Sequence, residues 1–571
     1  MKLKSKLYIS MLGAVLLMAP GCNDKLEEEP RSVLTPAYFG TAQGMEAGVT
    51  AAYSGFRYFY GTEGSMQLTV YGTDEYTAGQ EGTRTYNAYD VAAVNASNAV
   101  FAGPWNRHYT YINTCNGIIE LGPTVQMDET LKNRLIAEAK FLRAQYYFNL
   151  VRLYGDVPLN LTFNTTPTTE ATRAPLADVY TAIIKDLTEA ITALPDKQPQ
   201  PGRAAKGPAM HVLAKVYLTR AGSTAKQGDD YRNAYNTAKS LIDNRATYGL
   251  NLLPDYADVH REGNEYNSEV IWTVERSNNP QFNDLGNADK ENRSSFFFRM
   301  YYELLPGLSR TIQYGRPWVR YRPTEWLLGT AFGERTNDTR YNKTFQTLWL
   351  ANNAATIPKW TQADVDAGNV EASKVNQPKF TVGDTAVWMP GYEIPAAVQA
   401  KTRYTILTPS EYTPAFFPTM TKYDDTRRLA VNDASIRPYI VYKLSETYLI
   451  AAEAALIDGR PGDGLPYINT IRQRAAFSAN RTAEGNAAAT AAMTITAADL
   501  TIDFILDERS RELTGETMRW FDLVRTGKLL ERVKLYNPDA RNNIQPYHVL
   551  RPVPQTQIDL TTNTFQQNTG Y

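Results

Sequence analysis

Five carboxylates crowd residues 503–516: Asp503, Asp507, Glu508, Glu512 and Glu516. Glu508 and Glu512 lie four apart, so a helix sets them on one face, where two carboxyls can divide acid and base work. Arg509, Arg511, Arg519 and Arg525 interleave with them. Opposite charges at that spacing tie neighbouring helices together by ion pairs, which accounts for the cluster without chemistry. A glycosidase needs two carboxylates facing one cleft at a set separation, and that is a property of a fold rather than of spacing. No phosphate-cradling glycine loop, nucleophile elbow, HExxH pair or dinucleotide fingerprint occurs. Cys22, Cys115, His108, His211, His260 and His548 all stand outside metal-ligand spacing of one another, against a Cys/His zinc site. The sequence assigns no catalytic residue, no metal and no cofactor.

Binding makes smaller demands. Sugar rings carry apolar C–H faces that lie on aromatic planes, while their hydroxyls seek polar side chains. The chain has 37 Tyr against 20 Phe and 8 Trp, an excess suited to wet, partly exposed surfaces. Residues 291–349 hold 13 aromatics in 59 positions, about twice the density of the whole chain, which makes this segment the strongest site signal. Ligand-facing planes are expected from Tyr301, Tyr302, Tyr314, Trp318, Trp360 and Trp388, and a polar edge from Asp74 and Tyr76 in a Gly/Thr-rich loop. Packing competes for several aromatics. Trp326, three residues after Pro323, reads as a helix start that faces the core, and Trp105 begins a helix carrying Tyr109, Ile112 and Ile119. Trp318, in the context Gly-Arg-Pro-Trp, has no periodic partner, so exposure and packing stay equally open for it.

The elements that must position these residues fall into two territories. The chain has 571 residues, 43% hydrophobic and 21% charged, the profile of a soluble globular protein with more than one core. Lys plus Arg total 59 against 60 acids, so nothing points to nucleic acid. From 36 to 249 the apolar spacing is helical. It predicts helices over 131–154, 176–194 and 206–220, and another from Asp229 through Leu241. The pattern returns over 438–571, with helices expected at 440–457, 465–475, 502–513 and 516–533. Helices of similar length joined by short turns predict antiparallel hairpins in a tetratricopeptide-like stack, although no 34-residue consensus repeats. Between them, 250–437 is irregular, broken by Gly, Pro and Asn, with short extended pieces such as 269–275. A long irregular insertion in a compact protein is more often functional than incidental. The fold class expected is mainly α: a helical-hairpin platform with a large irregular, ligand-facing insertion containing short strands.

The N-terminus reads as an address. Three lysines precede an apolar run from Leu7 to Ala19 that ends at Pro20-Gly21-Cys22. A positive start, a short apolar stretch and a small residue before the cut mark a secretory signal, too short to span a bilayer as a helix. Cysteine after the small residue predicts a lipoprotein signal over 1–21, with Cys22 acylated; ordinary cleavage nearby is the alternative. Acylation leaves Cys115 without a disulfide partner. Residues 22–35, with Asp24 and Glu27 to Glu29, form an acidic tether. Loss of Lys2, Lys4 and Lys6 with the signal leaves 56 basic and 60 acidic side chains, no attraction to an anionic surface.

Several stretches carry a family resemblance. EAKFLRAQYYFNLVRLYGDVP (138–158), TRAPLADVYTAIIKDLTEAITALPD (172–196), LSETYLIAAEAAL, INTIRQRA, ILDERSRELTGETMRWFDLVRTG and the terminal LRPVPQTQIDLTTNTFQQNTGY (550–571) occur in order. Together the chain resembles, over nearly its whole length, the SusD-like (RagB/SusD) outer-membrane lipoproteins. Two places depart from the family pattern: Glu516-Thr517 stands for Glu-Gly, and Asn568-Thr569-Gly570-Tyr571 for Asn-Pro-Gly-Tyr.

The resemblance implies a tetratricopeptide-like platform bearing a ligand-facing subdomain, lipid-anchored at the cell surface of the outer membrane. It implies a lid over a SusC-like TonB-dependent barrel that captures an oligosaccharide or polysaccharide for import and performs no chemistry. Trp318 matches a tryptophan that the family often places ahead of a Pro-Thr helix start, here Pro323-Thr324. Peptide cargo on the same lid, a surface glycoside hydrolase and a plain helical scaffold are the competing readings.

Overall fold

The structure, a computed structural model, describes residues 36–277, 279 and 290–571. The signal at 1–21, Cys22 and the tether at 22–35 therefore lie outside the described residues.

Twelve helices carry the architecture: α1 (Ala42–Ser54), α2 (Glu63–Thr69), α3 (Ala99–Leu121), α4 (Glu129–Tyr154), α5 (Leu176–Ala193), α6 (Lys206–Ala221), α7 (Asp230–Asp243), α8 (Leu444–Ile457), α9 (Pro461–Ala475), α10 (Ile502–Leu513), α11 (Arg519–Arg525) and α12 (Leu529–Tyr536). Sequential neighbours from α3 to α9 pack on one another, so the chain stacks hairpins as it proceeds. The α7–α8 contact closes the stack across about 200 intervening residues.

Local chemistry explains the helix ends. The Asp128 side chain accepts a hydrogen bond from Leu131 N and opens α4, and Gly155, at φ +74°, closes it. In α5, Val179, Ile183, Leu187 and Ala190 recur at helical spacing and are buried, while the positions between them are largely wet. Helix α4 is enclosed on most of its surface from Leu135 to Tyr154, because α1, α3 and α5 all pack on it. Helix α10 begins at Thr501, whose hydroxyl accepts from Phe504 N.

Two expectations for the late helices are corrected. Residues 440–443 belong to a strand, Tyr439–Lys443, and the helix begins at Leu444. That strand pairs antiparallel with Val270–Val274, which lies within the extended piece expected at 269–275. The run Tyr-Ile-Val-Tyr is β-branched and aromatic, and its partner lies far away in sequence, so helical periodicity read through it. The helix expected over 516–533 is two, α11 and α12, broken at Gly527 with φ +69°. Thr517 has φ +20°, a conformation that strains a residue with a side chain.

The strands are short. Tyr76–Ala78 pairs with Tyr321–Pro323, Phe345–Gln346 with Thr419–Met420, and Leu348–Leu350, Thr385–Trp388 and Thr405–Ile406 form a three-stranded sheet. The main hydrophobic core runs through the helices and into the aromatic segment, while Met300, Tyr302, Trp349, Phe380 and Phe417 centre a smaller core within the irregular part. Among the described residues no helix is long and apolar enough to cross a membrane.

Candidate functional site

Trp318 is the expected site residue that stands at a cleft. Its backbone is held on both sides: Trp318 N donates to Phe296 O and Arg320 N to Phe297 O, at 3.0 and 2.9 Å. From the other side Gly79 N donates to Arg320 O and Glu81 N to Val319 O, at 3.0 and 3.1 Å. A Cβ on Gly79 would meet Val319 O at 2.2 Å, so only glycine lets these two segments approach. The ladder between Tyr76–Ala78 and Tyr321–Pro323 fixes the register immediately beyond. Val319 itself has φ +46°, an outlier for a β-branched residue, which the surrounding bonds hold in place. This strain turns the chain so that Val319 is buried while Trp318 is half-exposed.

The indole packs against Phe296 and Phe297, at 5.3 and 5.7 Å between ring centres. Arg293, Arg316 and Arg320 place their guanidinium carbons 5.0, 5.5 and 5.2 Å from the ring centre. In front of it opens a cleft of about 710 Å³, of the size that takes small ligands. The first turns of α3 supply Ala102, Gly103, Asn106 and Arg107, and residues 58–65 supply Tyr58 and Glu63. Arg107 lies 4.2 Å over the Tyr58 ring. A Cβ on Gly103 would meet nothing within 4 Å, so small residues on α3 keep this wall open. Burial raises the Glu63 carboxyl above its ordinary pKa, against the pull of Arg320 at 2.9 Å.

The other expected residues lie elsewhere. Asp74 and Tyr76 are fully buried, and the expectation that they form a polar edge for ligand is corrected. Asp74 accepts from Arg519 Nε and Nη2 at 2.7 and 2.6 Å and from Arg532 Nε at 2.7 Å. Burial alone would raise its carboxyl, but those arginines hold it below the ordinary value. The Tyr76 ring packs on Phe298, and its hydroxyl accepts from the Thr514 hydroxyl at 3.2 Å. A Gly/Thr-rich loop looks exposed in sequence; here it is the strand that positions Trp318.

Tyr302 and Tyr314 are buried against each other, 5.5 Å between ring centres, in the smaller core, and their expected role as ligand planes is corrected too. The Tyr302 hydroxyl donates to Gly315 O at 2.5 Å and the Tyr314 hydroxyl to Leu350 O at 3.1 Å. Tyr301 is half-exposed and its hydroxyl donates to Glu81, which in turn pairs with Arg320, so it supports the Trp318 surroundings without lining the cleft. Trp360 lies under Lys379, and Trp388 sits across the three-stranded sheet from Leu348 and edge-on to Tyr392. Both are half-exposed, and neither lines the cleft.

Tyr58, Arg107 and Arg293 were not singled out from sequence. The arginines at 293, 299, 310, 316, 320 and 322, interleaved with the aromatics of that segment, were the available signal. Tyr58 and Arg107 lie in helical territory and give no local sign.

The carboxylate cluster is a structural tie. Glu508 and Glu512 are fully buried, and both pair with Arg340, at 2.7 and 3.1 Å. Arg472 and Arg511 hold Glu508, and Arg474 holds Glu512. Burial alone would raise the Glu508 carboxyl, but Arg340, Arg511 and Arg472 keep it far below its ordinary value. Among the described residues no group of three His, Cys, Asp or Glu is placed to hold a metal ion.

Residues 334–571 match the model of the SusD family, and residues 47–218 match a model described as "Starch-binding associating with outer membrane". A SusD-like protein, P2, of Formosa agariphila is 26% identical over 98% of both chains. A SusD-like protein of Bacteroides ovatus is 28% identical over 48% of this chain and 50% of its own. The fold matches a solved laminarin-binding SusD-like protein with a TM-score of 0.63 at 24% identity, covering 93% of this chain and 100% of the other. It also matches a surface glycan-binding protein of Bacteroides thetaiotaomicron with a TM-score of 0.63 at 19% identity, over 93% and 100% of the two chains. These likenesses bear out the mainly helical platform. With two model matches in chain order and relatives aligned over nearly the full length, the chain is similar to the SusD-like family almost throughout.

Proposed function

We propose that the protein is a cell-surface lipoprotein that captures a glycan and passes it to a partner SusC-like TonB-dependent outer-membrane transporter for import. The lipid on Cys22 holds it to the outer membrane, facing outward. It binds and does not catalyse. The observation that carries this reading is Trp318, an aromatic plane held by a strained backbone at the mouth of a roughly 710 Å³ cleft. A sugar ring lies on such a plane by its C–H face, and Asn106, Thr110 and Glu63 supply polar partners for hydroxyls. The laminarin-binding and surface glycan-binding proteins of the same fold support a saccharide as cargo. The arginine-bound state of Glu508 and Glu512 supports a role without hydrolysis.

The test is an array of plant, host and microbial glycans probed with the purified protein, beside a titration with a protein digest. Binding to one glycan class, without breakdown of it, is the expected result. Silence on the array with binding to the digest would replace glycan by peptide on the same lid.

A further inference from the structure

A second cleft lies on the other flank of α3, about 720 Å³ in volume against about 710 Å³ for the one beside Trp318. Its walls are α3, with Tyr109 part-exposed, and the irregular segment 158–175. Asn106 and Thr110, one turn apart and exposed, line both clefts, so they form a ridge that the two share. The far wall is fixed to the helix. Asn113 clamps the Asn164 backbone, donating to its O at 2.9 Å and accepting from its N at 2.8 Å. Asn116 donates to Asn160 O and Thr162 O at 3.0 and 2.9 Å, and the Tyr109 hydroxyl donates to Pro158 O at 2.8 Å. A wall held before the ligand arrives spares the ordering cost of binding. The exposed side chains of Asn106, Asn160, Thr168 and Thr172 are left to face the cleft, and none of the four makes a hydrogen bond among the described residues.

Charge is balanced on both flanks. Glu63 and Glu291 stand against Arg107 and Arg293 in the near cleft, and Glu170 stands against Arg173 in the far one. The Arg173 guanidinium is already occupied by Asp156 O, Tyr154 O, Gln566 O and the Asn568 side chain. Neither cleft has an excess of either sign for a charged group, whereas free amides and hydroxyls both donate to and accept from the hydroxyls of an uncharged ring. Each cleft alone has room for a small ligand. A helix with its side chains is about 10–12 Å across, so one ring cannot reach both flanks, while a chain of rings can lie over the ridge. Resting on the glycan-capture reading above, we infer that the two clefts form one site, which grips an internal stretch of an uncharged glycan chain across α3, with Trp318 at one end and Asn160 and Thr172 at the other.

The test is calorimetric titration of the purified protein with laminarin, xylan, mannan, inulin and polygalacturonate, each also as fragments from disaccharide to decasaccharide, at low and high NaCl. An uncharged polymer should bind, its affinity rising at least tenfold from the shortest binding fragment to the longest and changing less than twofold with salt, since no charged group is there to be screened. An Asn160→Ala/Thr172→Ala double variant, melting at the wild-type temperature, should lose at least fivefold for the longest fragments and less than twofold for the shortest. Thr172→Trp, which fills the far cleft from an exposed position, should bring the longest fragments down to the affinity of the shortest. Trp318→Ala should weaken every length. Short fragments binding as tightly as long ones would overturn the spanning site and leave glycan capture at Trp318 standing. A length dependence that neither far-cleft variant moves would overturn it equally. Binding of polygalacturonate alone would overturn the uncharged chain. Binding of none of the five would overturn the inference and count against glycan capture as well.

Discussion

Two tryptophans in this molecule are ringed by arginines, and they do opposite things. Trp326 is buried, stacked on Tyr536 at 5.0 Å, with Arg519 and Arg532 at 5.7 and 4.6 Å from its ring centre. Those arginines are fully answered by Asp74, Asp503 and Asp507. Trp318 is partly exposed beside a cleft, and Arg107 and Arg316 near it make no ion pair among the described residues, Glu81 acting on Arg316 only at a distance. The residue types are the same. Neutralised and dry, the group is a seam that locks α11 and α12 to the strand from Tyr76; left open and wet, it is a surface that waits for a partner.

The largest effect that would sharpen this contrast is Asp74→Ala. It takes from buried Arg519 its two short carboxylate bonds, leaving Glu75 at 3.6 Å, and one of three carboxylates from Arg532. Removal of one member of a buried pair costs about 3–5 kcal/mol. Urea unfolding should report a loss of that order. A loss under about 1 kcal/mol would mean the seam is not the lock described here.

Next is a pH effect from the neighbouring residue. Burial raises the Glu75 carboxyl from 4.5 to about 7, with Asp74 adding to the rise and Arg519 opposing it. Between those values the folded chain holds a proton at Glu75 that the unfolded chain has released, so stability falls as pH rises through that window. The loss is at most roughly 3 kcal/mol, at about 1.4 kcal/mol per pH unit. Glu75→Gln should flatten the melting temperature between pH 5 and pH 7.5 relative to wild type. An unchanged slope would assign the pH dependence to other groups.

Smaller effects probe the cleft. Gly103→Leu should raise or hold stability, since glycine costs up to about 1 kcal/mol inside a helix, yet should weaken glycan binding by filling the open wall. Equal binding would put the ligand elsewhere. Trp388→Ala, half-exposed but outside the cleft, should change binding less than twofold in the same titration.

The helices were legible because their apolar faces and stop signals are local: 502–513 reads from the sequence with the bounds the structure has, and 176–194 ends one residue short. The strand at Tyr439–Lys443 was hidden because its partner is about 170 residues away and no period marks it. In the site, Trp318 stood out because it lacked periodic partners, and Asp74 misled because a polar loop in sequence became a buried strand edge in space. Tyr58, Arg107 and Arg293 meet at one cleft from three distant segments, because residues 58–65 touch α3 on one side and the aromatic segment on the other, where Arg293 N donates to Gly61 O. The strain at Val319 is equally invisible to composition, since it comes from Gly79, Glu81 and Phe296 pressing on the backbone from two sides.

The central claim is that ligand seats on Trp318. Its most direct test is calorimetry of Trp318→Ala against the glycan that binds the wild-type protein most tightly. Affinity should fall at least tenfold while the variant stays folded, because the indole is partly exposed at the edge of the main core. Affinity within twofold of wild type in a folded variant would contradict the claim.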